Sequence, residues 1–323
     1  MQIVLIIIIA MAILFTLGPK VKIPALEDLP EIKIPDIENL ENYIEEKEKN
    51  VANLRDHARA EIRWFDSKRK TEYAILYLHG FTANKMETEP LTTELGQALS
   101  ANIYFSRLSG HGRDFDAMAE PDAKDWLLDA VEAYKIAQRI GEKIIVIGVS
   151  TGGTIAALLA EKYASMDSYN TIYIMISPNF APKDKRAEAL LWPWGKQLGL
   201  IISGKYRWWK LQNEMHEKYW TWKYPTIALL PMMALVKAAR KIDFDKIENP
   251  ILIFYSEEDK VVEPEETKAL FEKIGSQNKR MIEIKDCGDR DNHVLAGDAL
   301  SPNTTGFVRD KAHEFIMSNF KDS

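Results

Sequence analysis

The chain has 323 residues, a length that allows one large α/β domain or two smaller domains. Hydrophobic residues make up 46% and charged residues 28%, as in a globular protein with a sizeable core. The net charge of −6 argues against a general nucleic-acid-binding protein. Cys287 is the only cysteine, which excludes an intrachain disulfide and a cysteine-based metal site.

The N-terminal segment departs from this globular composition. Residues 3–17 form an almost unbroken apolar run that, with its flanking residues, is about long enough to cross a bilayer core. A cleaved signal peptide is the alternative, but no Lys or Arg precedes the run and no A-x-A cleavage site follows it. We therefore predict a transmembrane helix over residues 1–18, and hence a membrane protein with a single N-terminal anchor. Lys20 and Lys22, just after the span, only weakly indicate which side of the membrane the rest of the chain occupies.

Residues 19–60 are predicted to separate this anchor from the catalytic part of the chain. The first half of the segment is acidic and interrupted by prolines, which block helices and strand ladders. Residues 39–56 then show helical periodicity. We interpret the segment as an extended spacer followed by a helix.

From residue 61 onward, short β-branched apolar segments alternate with helical segments. The predicted strands are residues 61–65, 73–79, 101–107, 143–149, 171–176, 251–255 and 280–284. The predicted helices are residues 89–100, 123–140, 151–163, 265–274 and 303–320. This order predicts one α/β domain over residues 61–323, with a mostly parallel sheet covered by helices on both faces.

The alternation stops between about residues 180 and 245, a segment too long for a loop. The segment holds six of the eight tryptophans, namely Trp192, Trp194, Trp208, Trp209, Trp220 and Trp222. We predict a helical cap whose tryptophans pack on the sheet, with some of them lining an apolar substrate cavity.

A nucleophile elbow is predicted at Gly148–Gly152, where Ser150 lies between a buried strand and a helix. The glycines two residues on either side of the serine leave room for a sharp turn that exposes its hydroxyl. The following helix begins beside the serine, so its first backbone N–H groups point toward the reacting atoms.

A serine hydroxyl needs a histidine base, and the histidine needs an orienting carboxylate. In proteins built around such an elbow, the acid and then the histidine follow the serine along the chain at strand ends. Asp259 follows the strand at residues 251–255, and His293 follows the last strand. We predict these two as the acid and the base. Alternative acids are Glu257 and Glu258 in the same loop, and Asp286, Asp289 and Asp291 near the histidine.

The oxyanion hole is predicted from two backbone amides. Phe81 lies in the loop after the strand at residues 73–79, and Thr151 directly follows the serine. Their N–H groups would bind the charge that develops on the substrate oxygen. Gly80 allows a close backbone approach, and His79 is expected to brace this loop.

Together these motifs resemble the α/β-hydrolase superfamily, in the branch of carboxylesterases and monoacylglycerol-lipase-like enzymes that is also called the serine aminopeptidase (S33) type. The resemblance is carried by His79–Phe81, Arg107–Gly112, Gly148–Gly152, Asp259–Val262 and His293–Leu295. It implies the α/β-hydrolase fold, a Ser-Asp-His triad, a structural role for the loop that contains His111, and no cofactor or metal.

We accordingly predict a membrane-anchored serine hydrolase that cleaves carboxylic esters of apolar or lipid-like acyl chains through an acyl-enzyme. Its expected partners are the ester substrate and the membrane, and no nucleic acid. The same triad also suits a peptidase, an amidase or a thioesterase. A non-catalytic binding protein on the same fold is a further alternative.

Overall fold

The structure is a computed structural model that describes residues 2–164 and 170–320, and this part of the chain contains nine strands and ten α-helices. The strands are β1 (Glu61–Arg63), β2 (Thr71–Leu78), β3 (Asn102–Phe105), β4 (Gly141–Val149), β5 (Thr171–Ile176), β6 (Tyr206–Trp208), β7 (Lys223–Pro225), β8 (Ile251–Tyr255) and β9 (Lys279–Glu283). The helices are α1 (Gln2–Thr16), α2 (Leu40–Lys49), α3 (Leu91–Ala98), α4 (Ala123–Ile140), α5 (Thr151–Tyr163), α6 (Gly195–Ser203), α7 (Glu214–Tyr219), α8 (Leu229–Ala239), α9 (Pro264–Lys273) and α10 (Pro302–Asn319).

Seven strands form one sheet in the order β1-β3-β2-β4-β5-β8-β9. Only β1 runs antiparallel to its neighbour; the other five pairings are parallel. At the centre, Ile145 lies opposite Ile75 on one side and Ile172 on the other. Such apolar, β-branched central strands are typical of a sheet that is buried on both faces. The predicted mostly parallel sheet is confirmed.

Helices cover both faces of this sheet. Buried residues of α4, α5 and α8 form the apolar core on one face, and buried residues of α3 and α10 contribute to a second core on the other face. Because β-strands alternate their side chains between faces, Leu76 joins the first core and Ile75 the second. The carboxyl ends of β2, β4, β8 and β9 carry the loops in which the site residues were predicted.

The predicted transmembrane span is wrong. The first helix ends at Thr16, and its 15 residues rise about 1.5 Å each, so it reaches roughly 22 Å along its axis. A bilayer core is about 30 Å thick. No helix in residues 2–164 and 170–320 combines the length and the apolar character that crossing a membrane requires. The predicted localisation, a single-pass membrane anchor, is therefore corrected as well.

Residues 19–37, predicted as a spacer, lie along the helices that cover one face of the sheet. Leu26 is buried there, and Val21, Ile23 and Ile34 pack against the same core. Two lysines of the covering helices bind the carbonyls of this segment: Lys162 Nζ donates to Leu26 O at 3.0 Å, and Lys135 Nζ donates to Ile32 O at 2.8 Å.

A buried ion pair fixes α2 to the sheet. Arg107, in the loop after β3, donates from Nη2 and Nε to the two carboxylate oxygens of Glu48, at 2.8 and 2.9 Å. Each side chain exposes only 8% of its surface. The backbone N–H of Ala60 donates to the same carboxylate at 3.0 Å. The pair therefore joins α2, the approach to β1 and the loop after β3.

The segment between β5 and β8 is not purely helical. It contains α6 and α7, but β6 and β7 form an antiparallel ribbon in which Tyr206 lies opposite Pro225. Aromatic residues favour strands, and this run contains Tyr206 and Trp208. The last helix of this segment, α8, packs against α4 and α5 and belongs to the helical layer that covers the sheet. The part of the segment that covers the elbow therefore consists of α6, α7 and the β6–β7 ribbon. We call these three elements the cap.

Replacing Glu48 by Ala should destabilise the protein strongly, because Arg107 would remain buried without its partner. A charge stranded in this way costs about 3 kcal/mol or more. The free energy of unfolding would be measured by chemical denaturation. Glu46→Ala is the matched control on the same helix, since Glu46 is exposed and should contribute no more than about 0.5 kcal/mol. Equal unfolding midpoints for the two variants would show that the pair does not secure α2.

Candidate active site

Ser150 lies at the junction of β4 and α5 in a strained backbone conformation, with φ 52° and ψ −111°. A non-glycine residue is held there only when its surroundings fix it. Its N–H donates to Ile176 O at 2.9 Å, and its carbonyl accepts the N–H of Asn179 at 3.1 Å. The turn therefore keeps its shape through bonds to the neighbouring strand β5 and the loop that follows it.

The two glycines of the elbow are required by close backbone contacts. A Cβ on Gly152 would lie 2.0 Å from Leu78 O, and a Cβ on Gly148 would lie 2.5 Å from Gly152 O. Neither distance is compatible with a side chain. The predicted spacing of glycines around Ser150 thus reflects the tight packing of α5 on the end of β2.

The structure brings the predicted acid and base together. Asp259 Oδ2 lies 2.8 Å from His293 Nδ1, and its Oδ1 accepts the N–H groups of Val261 and Val262 at 2.7 and 2.9 Å. Asp259 is only 2% exposed. Both carboxylate oxygens are therefore occupied, and the one that faces the imidazole holds Nδ1 as the protonated nitrogen. His293 Nε2 is left free to act as a base.

None of the alternative acids forms a hydrogen bond with the imidazole of His293. Glu257 binds Lys268 at the surface, and Glu258 accepts a hydrogen bond from Asn292. Asp289 is buried but binds backbone: its Oδ2 accepts the N–H groups of His293 and Val294 at 3.0 and 2.9 Å. It therefore shapes the loop that presents the imidazole and does not contact the ring through a hydrogen bond.

The electrostatic surroundings of His293 favour its protonated form. Burial alone lowers the pKa of the imidazole, but the charge and hydrogen bond of Asp259, followed by the charge of Asp289, raise it above its usual value. A base with a raised pKa accepts a proton more readily. The carboxyl groups around His293 thus outweigh the effect of its burial on the pKa.

The two predicted oxyanion amides have no acceptor among the described residues. Thr151 is the first residue of α5, where a backbone N–H has no partner within the helix. The N–H of Phe81 likewise donates to no atom in residues 2–164 and 170–320. An oxyanion hole requires free N–H donors next to the serine, and these two amides meet that requirement of availability.

The loop that carries Phe81 is held from two sides. From within the fold, His79 Nε2 accepts the N–H of Leu108 at 3.0 Å, so its Nδ1 donates to Gly80 O at 2.9 Å. Burial lowers the pKa of His79 to about 4, which keeps it neutral. From the cap, Trp209 Nε1 donates to Thr82 Oγ1 at 2.8 Å. The predicted bracing role of His79 matches these contacts.

Ser150 and His293 line one cavity of about 70 Å³, and a larger cavity of about 270 Å³ adjoins it beneath the cap. The two share Phe81, Trp209 and Met232 on their walls. The larger cavity is mostly apolar, with Leu190, Trp208, Tyr224 and Leu229 in its lining, but the charged side chains of Arg186, Arg207 and Lys260 also line it. Of the six cap tryptophans, Trp208 and Trp209 line the larger cavity, and Trp209 and Trp220 line the smaller one.

Four polar residues of the smaller cavity were not predicted as site residues: Glu87, Asn179, Gln212 and His216. Glu87 follows the oxyanion loop by only a few residues, but the chain is rich in glutamate and nothing in its spacing marks this one. Gln212 and His216 come from the cap, where the sequence shows aromatic content but not orientation. Within residues 2–164 and 170–320, no group of three or more His, Cys, Asp or Glu could hold a metal ion.

Comparison with known proteins identifies relatives among lipases. The chain is 29% identical over 211 residues to the thermostable monoacylglycerol lipase of Bacillus sp. (strain H-257), covering 65% of this chain and 80% of that protein. A structure from a study of two metagenome-derived lipolytic enzymes, LipS and LipT, superposes with a TM-score of 0.65 at 18% identity, over 82% of this chain and 99% of that one. The structure of the Paleococcus ferrophilus monoacylglycerol lipase superposes with a TM-score of 0.59 at 17% identity. The superposition covers 80% of this chain and 98% of that one. At such identities the solved structures show a shared fold.

The family itself is shown by a match over most of the chain. A family model described as serine aminopeptidase, S33, covers residues 69–288, from just before β2 to the loop before His293. It includes the elbow, the oxyanion loop, the cap and the loop of Asp259. The resemblance inferred from the motifs is confirmed, and the chain belongs to the serine aminopeptidase (S33) family of α/β-hydrolases.

Proposed function

We propose that the protein is a serine esterase that cleaves carboxylic esters with apolar, lipid-like acyl chains, and that Ser150 is its nucleophile. The observation that carries the proposal is the cavity in which Ser150 and the Asp259-bound His293 open into a larger apolar chamber. The monoacylglycerol lipases among its relatives favour monoacyl esters of glycerol as the substrate class.

The reaction follows from the proposed roles. His293 Nε2 takes the proton of Ser150 as Oγ attacks the acyl carbonyl carbon, and the carbonyl oxygen becomes an oxyanion. The N–H groups of Phe81 and Thr151 stabilise this charge. The tetrahedral intermediate then expels the alcohol, which receives the proton from His293. Water, activated by the same histidine, hydrolyses the acyl-enzyme and restores Ser150.

The two connected cavities suit the two halves of such a substrate. The acyl chain would extend from the serine past Phe81 and Met232 into the larger chamber, where burial of apolar surface contributes about 25 cal/mol per Å². The alcohol would occupy the smaller cavity, whose wall carries the polar side chains of Gln212 and His216. An apolar acyl group and a polar alcohol are the two parts of a monoacylglycerol.

Replacing Ser150 by Ala should abolish ester hydrolysis, with kcat falling by on the order of 10⁶ because the nucleophile is lost. The assay is the release of p-nitrophenol from esters of acetyl to palmitoyl chains, and the chain-length optimum reports the depth of the larger chamber. Ser177→Ala is the matched control, a buried serine at the end of the adjacent strand that lines neither cavity. If the Ser150→Ala variant retained turnover, the mechanism would be wrong. If wild type cleaved no ester but bound a phosphonate at Ser150, the reaction would instead concern amides or thioesters.

Asp259→Asn should lower kcat by on the order of 10⁴, since an amide in this place no longer selects the imidazole tautomer with a free Nε2. Asp291→Asn should stay within a few-fold of wild type, because Asp291 makes no hydrogen bond to the ring. Both variants would be assayed on the best ester of the series. Near-normal activity of Asp259→Asn, with loss of activity in Asp291→Asn, would reverse the assignment of the acid.

The pH dependence of kcat/KM should show a rising limb centred above pH 6.5. His293 acts as a base only when it is neutral, and its raised pKa means that the imidazole is protonated, and the rate lost, as pH falls through that value. In Asp259→Asn the carboxylate that raises the pKa is gone, so the limb should move to lower pH. A short-chain, water-soluble ester serves for the measurement. A limb that stays in place in this variant would exclude Asp259 as the group that tunes His293.

A further inference from the structure

Glu87 is a buried carboxyl group that the proposed mechanism does not use. It is 2% exposed, lies at the end of the short helical turn after the oxyanion loop, and lines the same small cavity as Ser150 and His293. A carboxyl group is rarely buried unless a specific set of partners holds it there. The hydrogen-bond partners of Glu87 indicate its role.

One oxygen of Glu87 receives two hydrogen bonds. Oε1 accepts the backbone N–H of Gly80 at 2.7 Å and the hydroxyl of Tyr77 at 3.0 Å. Tyr77 is itself oriented by Thr88, whose hydroxyl donates to Tyr77 Oη at 2.8 Å. The chain Thr88–Tyr77–Glu87 therefore ends on the peptide N–H of Gly80, one residue before the proposed oxyanion donor.

The second oxygen, Oε2, lies close to the reacting groups. A Cβ built on Gly80 would be 3.0 Å from Glu87 Oε2 and 3.4 Å from Ser150 Cβ, so Gly80 separates the carboxyl from the nucleophile by little more than its own backbone. Oε2 receives no hydrogen bond from residues 2–164 and 170–320. It is the oxygen left to carry a proton.

We propose that Glu87 is a positioning residue for the reaction: its Oε1 binds the N–H of Gly80 and thereby sets the direction in which the next amide, that of Phe81, points into the cavity. The Gly80 N–H lies in the peptide plane before the Gly80 Cα, and Gly80 O lies with the Phe81 N–H in the plane after it, so only the φ and ψ angles of Gly80 join the two rigid planes. Holding both planes therefore fixes the direction of the Phe81 N–H. The loop is bound through Gly80 O by His79 and through Gly80 N by Glu87. The inference rests on the proposed function, in which the Phe81 N–H stabilises the oxyanion.

The charge of Glu87 matters because of where the group lies. A carboxylate beside Ser150 would oppose the negative charge that forms on the substrate oxygen, whereas a neutral acid would not. Burial raises the pKa of Glu87 to about 8, against the hydrogen bonds from Gly80 and Tyr77 and the charge of His293, which lower it. The other titratable groups around this cavity are Asp289 and Asp291 beside His293, and His216 from the cap.

The test compares two substitutions of Glu87. Glu87→Gln keeps an oxygen for the Gly80 N–H but never ionises, so kcat at pH 7 should stay within about three-fold of wild type. The decline of kcat above about pH 8 that we expect for wild type should be absent in this variant. Glu87→Leu removes the acceptor, and kcat should fall on the order of 10², with KM nearly unchanged, since the loss concerns the transition state.

Glu89→Leu is the matched control. Glu89 lies two residues further along, binds Arg63 and Thr93, and lines neither cavity. The Glu89→Leu variant should be less stable but keep the wild-type kcat. It therefore distinguishes a loss of stability, which removal of any partly buried carboxylate can cause, from a specific effect on the reaction. Unfolding midpoints of all variants would be measured alongside the kinetics.

The proposal is overturned if a folded Glu87→Leu protein keeps the wild-type kcat, or if Glu87→Gln keeps the wild-type decline at high pH. Should Glu87→Leu fail to fold, the pH profile of Glu87→Gln still decides. If wild type hydrolyses no ester at all, the proposed function fails separately. The rate at which a fluorophosphonate labels Ser150 then serves as the test, with slower labelling expected in Glu87→Leu.

Discussion

The positive φ of Ser150 is the constraint on which the rest of the site depends. A residue held in this region costs about 1–3 kcal/mol, which the surrounding fold must offset. Two hydrogen bonds, to the end of β5 and to the loop after it, hold the turn, and the carbonyl of Leu78 leaves no space for a side chain at Gly152. The turn therefore fixes both the position of Ser150 and the start of α5 at Thr151.

The acid and the base depend on the same edge of the sheet. Because β8 and β9 are parallel neighbours, the loops that follow them meet at one edge, and this places Asp259 beside His293. Asp289 adds a second carboxylate, but it binds backbone amides and so determines the loop shape. Two buried carboxyl groups near one histidine thus have distinct tasks, which their hydrogen-bond partners reveal and their positions in the sequence do not.

What the sequence predicted well rests on local signals. Runs of β-branched residues marked the central strands, and the glycines two residues on either side of Ser150 marked the elbow, since both patterns follow from the backbone geometry of a few residues. The end of α1 was misplaced because the apolar composition continues to Leu17, past the last helical residue, Thr16, whereas the Gly18–Pro19 pair that follows is a local stop signal. The role proposed for Glu87, by contrast, depends on tertiary contacts, with Tyr77 and Gly80, that no spacing predicts.

The cap and the oxyanion loop form one connected unit. Thr82, directly after Phe81, has φ 66°, accepts the Trp209 indole N–H at its hydroxyl, and accepts the N–H of Thr221 at its carbonyl, 2.7 Å away. Trp209 also forms a wall shared by both cavities. A substrate that displaces this indole would pull on Thr82 and, through it, on the amide of Phe81. In the proposed mechanism, acyl binding under the cap and charge stabilisation at the serine would be coupled through Trp209 and Thr82, while His79 and Glu87 hold the same loop from the sheet.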